Sequence, residues 1–344
     1  MTSEHGDVPV TTVLTVAVAE HLALMATRAP SVHNSQPWSL VVRGDGIDVR
    51  ADWSRRMQVI DPMGRQLFAS CGALVHHLAV SARALGLDSE VALLPDNRDH
   101  ELVAHVRLSP SAGQPSPEDL ARAEAVLHRS TNRRRFFEAP VTPAVLDTLR
   151  QAVQAQGVIL AEVRDEDRVA VDVMVEHAER ELQADEGYRE ELRSWVFDPL
   201  RDGERGDGIP VAAVDGGPGR AEELAGRAFV PTAEAEHQPN PAEHPTAVLV
   251  TTTGDQPIDW VRSGMGLSAL LLEAAQAGLV AQPIGQVTDV AYERARLRRD
   301  LGLVGVPQLL LRLGTAREKL GLQTPRRTVE SVLTWAEAPA LTPA

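Results

Sequence analysis

The sequence predicts an α+β fold assembled from two related α/β halves, and three observations carry that expectation. Helical and strand patterns follow one another in a mixed order that suits α+β layers. The 344 residues exceed one typical compact core and suit two domains or a duplicated plan. A Pro-, Ser- and Gly-rich stretch, residues 109–118, divides the chain, and a similar order of elements begins again beyond it.

The first helix is expected over residues 12–28, where Leu14, Val18, Leu22 and Met25 recur at helical spacing. Ala29-Pro30 stops it, because the residue before a proline is pushed out of helical geometry. Two strand-like runs, 38–43 and 47–51, flank a Gly-Asp-Gly turn and read as a hairpin. Residues 62–86 read as a long helix opening at Pro62, apolar on most sides and therefore central and buried. Strands are expected at 88–94 and 101–108. The second half opens with a helix at 117–128, followed by helices at 143–155, near 166–185 and at 187–196. Periodicity is lost over 199–244, where six glycines stand among prolines and charges between Gly203 and Gly219. A stretch of that length is either functional or disordered. A strand at 247–253, a helix at 258–277, a strand at 279–283, a helix at 288–301 and a strand at 307–313 complete the plan.

Composition narrows the class. Apolar residues make up 43% and charged residues 24%, ordinary for a globular protein with a sizeable core. The formal net charge of −14 repels phosphate backbones and anionic lipids, which argues against nucleic acid and membrane surfaces as partners. The opening residues lack a basic leader, and no segment approaches the roughly 20 apolar residues of a membrane span, so the expected location is cytoplasmic. The single cysteine, Cys71, lies in an apolar run; it reads as a buried small residue or as a redox-sensitive thiol. Lys319 is the only lysine, so arginine clusters partly reflect a compositional bias.

Four constellations could carry chemistry. Arg28-Ala29-Pro30-Ser31-Val32-His33-Asn34-Ser35-Gln36-Pro37-Trp38 is a polar loop clamped between prolines. Its Ser31, Asn34 and Gln36 offer donors and acceptors to a heterocycle's edge, or serve only to bond the backbone of a turn. Arg129-Ser130-Thr131-Asn132-Arg133-Arg134-Arg135 gathers four arginines at a helix end, enough to wrap a phosphate, or to form a solvated basic turn. Gln282-Pro283-Ile284-Gly285 ends a strand with exposed backbone N–H groups, where glycine lets a flat ligand approach; an ordinary strand-end turn is the alternative. Thr324-Pro325-Arg326-Arg327 adds a late arginine pair.

Other signals fail. Gly264-Met265-Gly266-Leu267-Ser268-Ala269 matches a dinucleotide-binding string but falls inside an expected helix, with no acidic residue closing a following strand. His76 and His77 are adjacent, so they point to different sides of a helix and read as structural. No metal site is expected.

Taken together, these segments resemble the nitroreductase superfamily. Ala29–Trp38 matches that family's A-P-S-x-x-N-x-Q-P-W motif nearly letter for letter; Gln282–Gly285 matches its P-I-x-G turn, Arg326-Arg327 its late basic pair, and Arg129–Arg135, loosely, its Arg-Arg-Ser-x-Arg phosphate motif. The order differs from ordinary members. Here the first half carries the A-P-S loop without the arginine motif, and the second carries the arginine and late motifs without the loop. With Asp61-Pro62-Met63-Gly64-Arg65 and Thr324-Pro325-Arg326-Arg327, the chain looks like the Acg-type branch, which fuses two nitroreductase-like halves into a pseudo-dimer.

The resemblance implies residues 1–112 as one half and 117–335 as the other, with a lid at 199–244. It implies FMN as cofactor, held by Arg28, Pro30, Ser31, Asn34 and Gln36 from the first half. Arg129, Ser130, Asn132, Arg133, Pro283, Ile284, Gly285, Arg326 and Arg327 would come from the second. Arg129, Arg133, Arg326 and Arg327 would face the phosphate, each such charge-assisted contact contributing roughly 1.5–3 kcal/mol. No side chain needs to act as acid or base, because hydride chemistry belongs to the flavin. The implied activity is NAD(P)H-dependent reduction of a nitro-aromatic, quinone or similar small-molecule acceptor. A lid-occluded FMN-binding or storage protein with little turnover is the alternative, and a dedicated pathway oxidase or dehydrogenase is a third reading. The implied assembly is a monomer with an internal pseudo-dimer, or a weak homodimer.

Overall fold

The computed structural model describes residues 13–133, 136–137, 139–214, 227–229, 245–316 and 324–337. Lys319, Arg134, Arg135 and most of 215–244 lie outside the described residues.

Helix α1 (Val16–Ala26) starts where the Thr15 hydroxyl accepts from the Val18 N–H, a side-chain cap of a helix's orphan donor. A one-turn 3-10 helix (Val32–Asn34) leads into the hairpin β1 (Trp38–Arg43) and β2 (Gly46–Ala51), paired from Trp38↔Ala51 to Arg43↔Gly46. Helix α2 (Arg65–Ala84) begins three residues later than the proline suggested. The Asp61 carboxylate accepts from the Leu67 N–H, and Gly64, at φ 78, turns the chain into the helix in a conformation few other residues adopt. Strands β3 (Leu87–Leu93) and β4 (Leu102–Pro110) complete the first sheet from this half. Helix α3 (Pro117–His128) carries a full capping box between Ser116 and Asp119.

Helix α4 (Pro143–Gln154), strand β5 (Ile159–Glu162), and helices α5 (Arg168–Ala184) and α6 (Glu186–Ser194) follow. The stretch that looked aperiodic is partly regular: β6 (Val196–Phe197), α7 (Pro199–Asp202) and β7 (Ile209–Pro210), with β6 and β7 pairing in parallel. Then come β8 (Thr246–Thr252), α8 (Pro257–Gln276) and β9 (Val280–Ile284). The helix expected over 288–301 is two, α9 (Gln286–Asp289) and α10 (Ala291–Asp300), broken by extended backbone at Val290. Strand β10 (Val306–Gly314), the short α11 (Val329–Val332) and β11 (Leu333–Trp335) finish the chain.

Two larger sheets result, in the orders β11-β1-β2-β4-β3 and β5-β8-β10-β9, beside the two-stranded β6-β7. The halves are interlocked. β11 crosses into the first half's sheet and pairs in parallel with β1, Leu40 opposite Leu333. Trp260 and Val261 of α8 join the first half's core beside Leu67, Cys71 and Leu74 of α2. The two long helices approach so closely that a Cβ on Gly72 would lie 2.0 Å from the Val261 carbonyl oxygen, and one on Gly264 would lie 1.7 Å from that of Ala69. Gly264, in the string that imitated a nucleotide-binding motif, therefore serves helix packing. Among the described residues no helix is long and apolar enough to cross a membrane, and no cluster of His, Cys, Asp and Glu could hold a metal ion. Cys71 and His77 are buried, as expected of structural groups.

Candidate functional site

Two adjoining cavities open between the loop at 28–38, the segment 129–133 and the β9 end. One, with about 770 Å³ of open space, is lined by Arg28, Pro30, Ser31, Asn34, Arg129, Ser130, Thr131, Arg133, Thr324 and Arg326, with Ile209 and Ala213 closing a side. The other, about 970 Å³, runs on past Pro30, Ser31, Thr131 and Arg133, which both share. It reaches His33, Arg65, Ser70, Ser263, Leu267, Gln282, Pro283, Gly285, Arg227 and Phe229.

The loop between α1 and β1 is held in an uncommon shape. His33, Asn34 and Gln36 all adopt left-handed backbone, at φ 47, 55 and 49. Side-chain bonds hold most of it. The Asn34 amide donates to the carbonyls of Gly208 and Pro325, both at 2.9 Å, and Gln36 donates to the Gly206 carbonyl at 2.8 Å. The Ser31 hydroxyl accepts from the Gln36 N–H, and Ser70 of α2 accepts from the Val32 N–H. Arg55 donates to the Ser35 carbonyl and pairs with Asp207. Residues 206–208, inside the expected lid, thus brace the loop.

The first cavity is strongly cationic. The Arg129, Arg133 and Arg326 side chains line open space, yet their guanidiniums are set deep in protein. Burial pushes Arg129 and Arg133 down to about 10. Burial, then the nearby Arg129 and Arg28, push Arg326 to about 9. All three stay charged at neutral pH, and among the described residues none meets a carboxylate. Nε of Arg129 and Nε of Arg326 are buried without a hydrogen-bond partner. Buried charges are normally paired, so this cluster is arranged to receive an anion, and a phosphate satisfies it through charge-assisted bonds.

Several expected site residues take other roles. Arg327 does not line either cavity: it donates to the Gln36 and Trp38 carbonyls at 3.1 and 3.0 Å and to that of Ser331 at 2.8 Å. Its pair partner Arg326 is the one that faces the cavity, because Arg327 is committed to tying β11's approach to the loop. Gln36 is fully buried as a strut, accepting from the Arg327 N–H. Asn132 is buried and its N–H donates to the Ala281 carbonyl, so Thr131 lines the cavities in its place. The Ile284 side chain packs into the core with Val287 and Leu310, leaving Pro283 and Gly285 at the cavity wall.

Some residues of the second cavity escaped sequence reading. Gln282 is fixed by Arg312, whose Nε donates to it at 2.6 Å. Arg65 is anchored on Asp289 and on the carbonyls of Gln308 and Thr288. Arg227 and Phe229 of the short strap 227–229 line one wall of the cavity. Arg227 donates to the Tyr188 hydroxyl and to Asp289, each at 2.6 Å, while Glu179 accepts from the Ala228 N–H and Gln183 donates to its carbonyl. Phe229 meets the His33 ring edge-on at 5.5 Å, and Arg133 lies over Phe229 at 5.2 Å. Arg65 and His33 sit within motifs quoted above; Arg227 and Phe229 gave no local signal.

The fold is mixed α/β, with an arginine cluster beside two adjoining cavities. The sequence relatives identify the class of protein. The chain is 31% identical over 319 residues, 91% of this chain and 90% of the relative, to a Mycobacterium tuberculosis protein named as a putative NAD(P)H nitroreductase. It is 30% identical over 326 residues, 93% and 96% of the two chains, to the protein of that organism named as putative NAD(P)H nitroreductase acg. The chain belongs to the nitroreductase superfamily, in the branch represented by acg. No protein-family model matches the chain. Among solved structures, one titled a putative nitroreductase from Anabaena variabilis aligns over 87% of this chain and 88% of its own, at 12% identity and a TM-score of 0.49. A Bacteroides fragilis nitroreductase with bound FMN aligns over 65% of this chain and 98% of its own, at 14% identity and a TM-score of 0.37.

Proposed function

We propose that the chain is an FMN-dependent NAD(P)H oxidoreductase that reduces a nitro-aromatic, quinone or similar small acceptor, with one FMN at the seam of its two halves. The observation that carries this reading is the cluster of Arg129, Arg133 and Arg326, three half-buried cations without a described counter-ion, opening directly into a second cavity with an apolar and amide-rich wall.

On this reading the arginine cluster holds the phosphate, with the hydroxyls of Ser130 and Thr131 adding neutral contacts. Pro30 and Ser31, shared by both cavities, flank the chain that joins phosphate to ring. The Gln282 amide, oriented by Arg312, and the backbone of Pro283 and Gly285 hold the ring's edge, while Leu267 and Ala69 supply apolar packing. The bound flavin supplies the redox chemistry, accepting hydride from reduced nicotinamide and passing electrons to the acceptor. The chain's own contribution is binding, orientation and exclusion of water.

A second reading, an FMN-holding protein with slow turnover, draws on the strap at 227–229, which lines one wall of the second cavity and is anchored at Tyr188, Asp289, Glu179 and Gln183. Mixing the purified yellow protein with NADPH under anaerobic conditions separates the two. Rapid loss of flavin absorbance supports the enzyme. Absorbance that persists for hours supports the holding protein, and a colourless protein that takes up no FMN removes both.

A further inference from the structure

His33 is the residue whose position the folding contacts do not explain. It shares left-handed backbone with Asn34 and Gln36, but those two are compensated by side-chain bonds to Gly208, Pro325, Gly206 and Arg327. His33 is 7% exposed and lines the second cavity, and no hydrogen bond to its imidazole forms among the described residues. Its Nδ1 is enclosed without a partner, which leaves Nε2 to meet a partner in the cavity. Strained backbone that persists at a cavity wall points to use. Phe229, edge-on to the imidazole, occupies the adjoining space.

The chemistry of that partner can be narrowed. Burial, then the charges of Arg227 and Arg133, hold the imidazole well below its usual range. The ring is therefore neutral at physiological pH and keeps one N–H donor. Two guanidiniums flank it, so the local potential favours an electron-rich group and disfavours a cation. An uncharged ligand with a polarisable oxygen satisfies both the donor and the potential.

We propose, on the reading that this cavity holds the flavin ring, that His33 is the acceptor-binding residue. Its ring N–H donates to the oxygen of a quinone carbonyl or nitro group entering the cavity, in the space beside Phe229. His33 thereby selects acceptors that carry oxygen over hydrocarbons of the same shape.

Equilibrium binding to the oxidised holoprotein tests this without turnover. The probe is 1,4-naphthoquinone, with naphthalene as its oxygen-free control, followed through the flavin absorbance difference spectrum. In His33→Leu the naphthoquinone Kd should rise about tenfold, as expected for loss of one hydrogen bond. His33→Gln, which keeps a donor, should restore it to within about threefold, and naphthalene should bind all three proteins alike. In wild type labelled with 15N-histidine, the His33 ring resonances should shift with naphthoquinone and not with naphthalene. Unchanged naphthoquinone affinity in His33→Leu, or equal weakening of both probes, overturns the proposal. A His33→Leu protein that keeps its melting temperature but sheds flavin also overturns it, placing His33 on the ring. A wild-type protein that retains no flavin would instead remove the cofactor reading on which this rests.

Discussion

At the scale of single residues, burial and charge sort the arginines into two kinds. Among the described residues Arg129 makes one side-chain bond, to the Arg28 carbonyl at 3.3 Å, and otherwise faces the cavity. Arg129→Ala should weaken FMN by about 10- to 100-fold, the loss of one charge-assisted bond of roughly 1.5–3 kcal/mol, and leave riboflavin nearly unchanged; fluorescence titrations with both ligands measure it. Arg327→Ala should instead weaken both ligands together and lower the melting temperature, because it removes bonds to Gln36, Trp38 and Ser331. Asp61 gives a pH signature. Burial pushes its carboxyl up to about 6 despite the Gln66 and Leu67 N–H groups it accepts from. A carboxyl raised in the folded state favours folding most below its unfolded value, and that stability falls as pH rises from about 4 to about 6. Two pKa units correspond to roughly 3 kcal/mol. Urea unfolding between pH 4 and 7 should show this slope in the wild type and a flatter profile in Asp61→Asn.

At the scale of elements, the crossing of α2 and α8 sets the seam on which the site stands. A methyl at Gly264 meets the Ala69 backbone, which no rotamer change can relieve. Gly264→Ala should therefore destabilise by about 1–3 kcal/mol or more, whereas Gly113→Ala, with nothing within 4 Å of the added Cβ, should be near neutral; chemical denaturation distinguishes them. The strap acts at the opposite wall. If it limits access, Arg227→Ala combined with Phe229→Ala should speed reduction by NADPH while FMN is retained, since the anchors at Tyr188 and Asp289 and the contact with His33 are lost. An unchanged rate in stopped-flow absorbance would leave the strap without a gating role. The whole stretch 199–244 is a poorer target for deletion, because Gly206 and Gly208 hold Gln36 and Asn34 in place.

At the scale of the molecule, the chain closes on itself. β11 completes the first half's sheet after the second half has been built, so the last described strand depends on the first. One A-P-S loop and one arginine cluster meet at one seam, and flavin released from the purified protein should amount to about one FMN per chain; a ratio near two would break the pseudo-dimer reading.

Much of this was legible in the sequence because its causes are local. Helical period, the prolines before α3, α4 and α8, and the Ser116–Asp119 cap act within a few residues. The loop 28–38 and the cluster at 129 stood out in the sequence, and the resemblance to the nitroreductase motifs, not their composition, favoured a binding site over ordinary turns. What stayed hidden depended on partners far along the chain. Nothing near Arg327 tells that it turns to Gln36 and leaves the cavity to Arg326. Nothing near Gly264 announces Ala69, and Phe229 gives no sign of His33. The sequence by itself determined which residue types are available to hold an anion and a flat heterocycle. Only the tertiary structure decided which of them point inward, because a buried polar group takes whichever partner the packing of distant segments brings within about 3 Å.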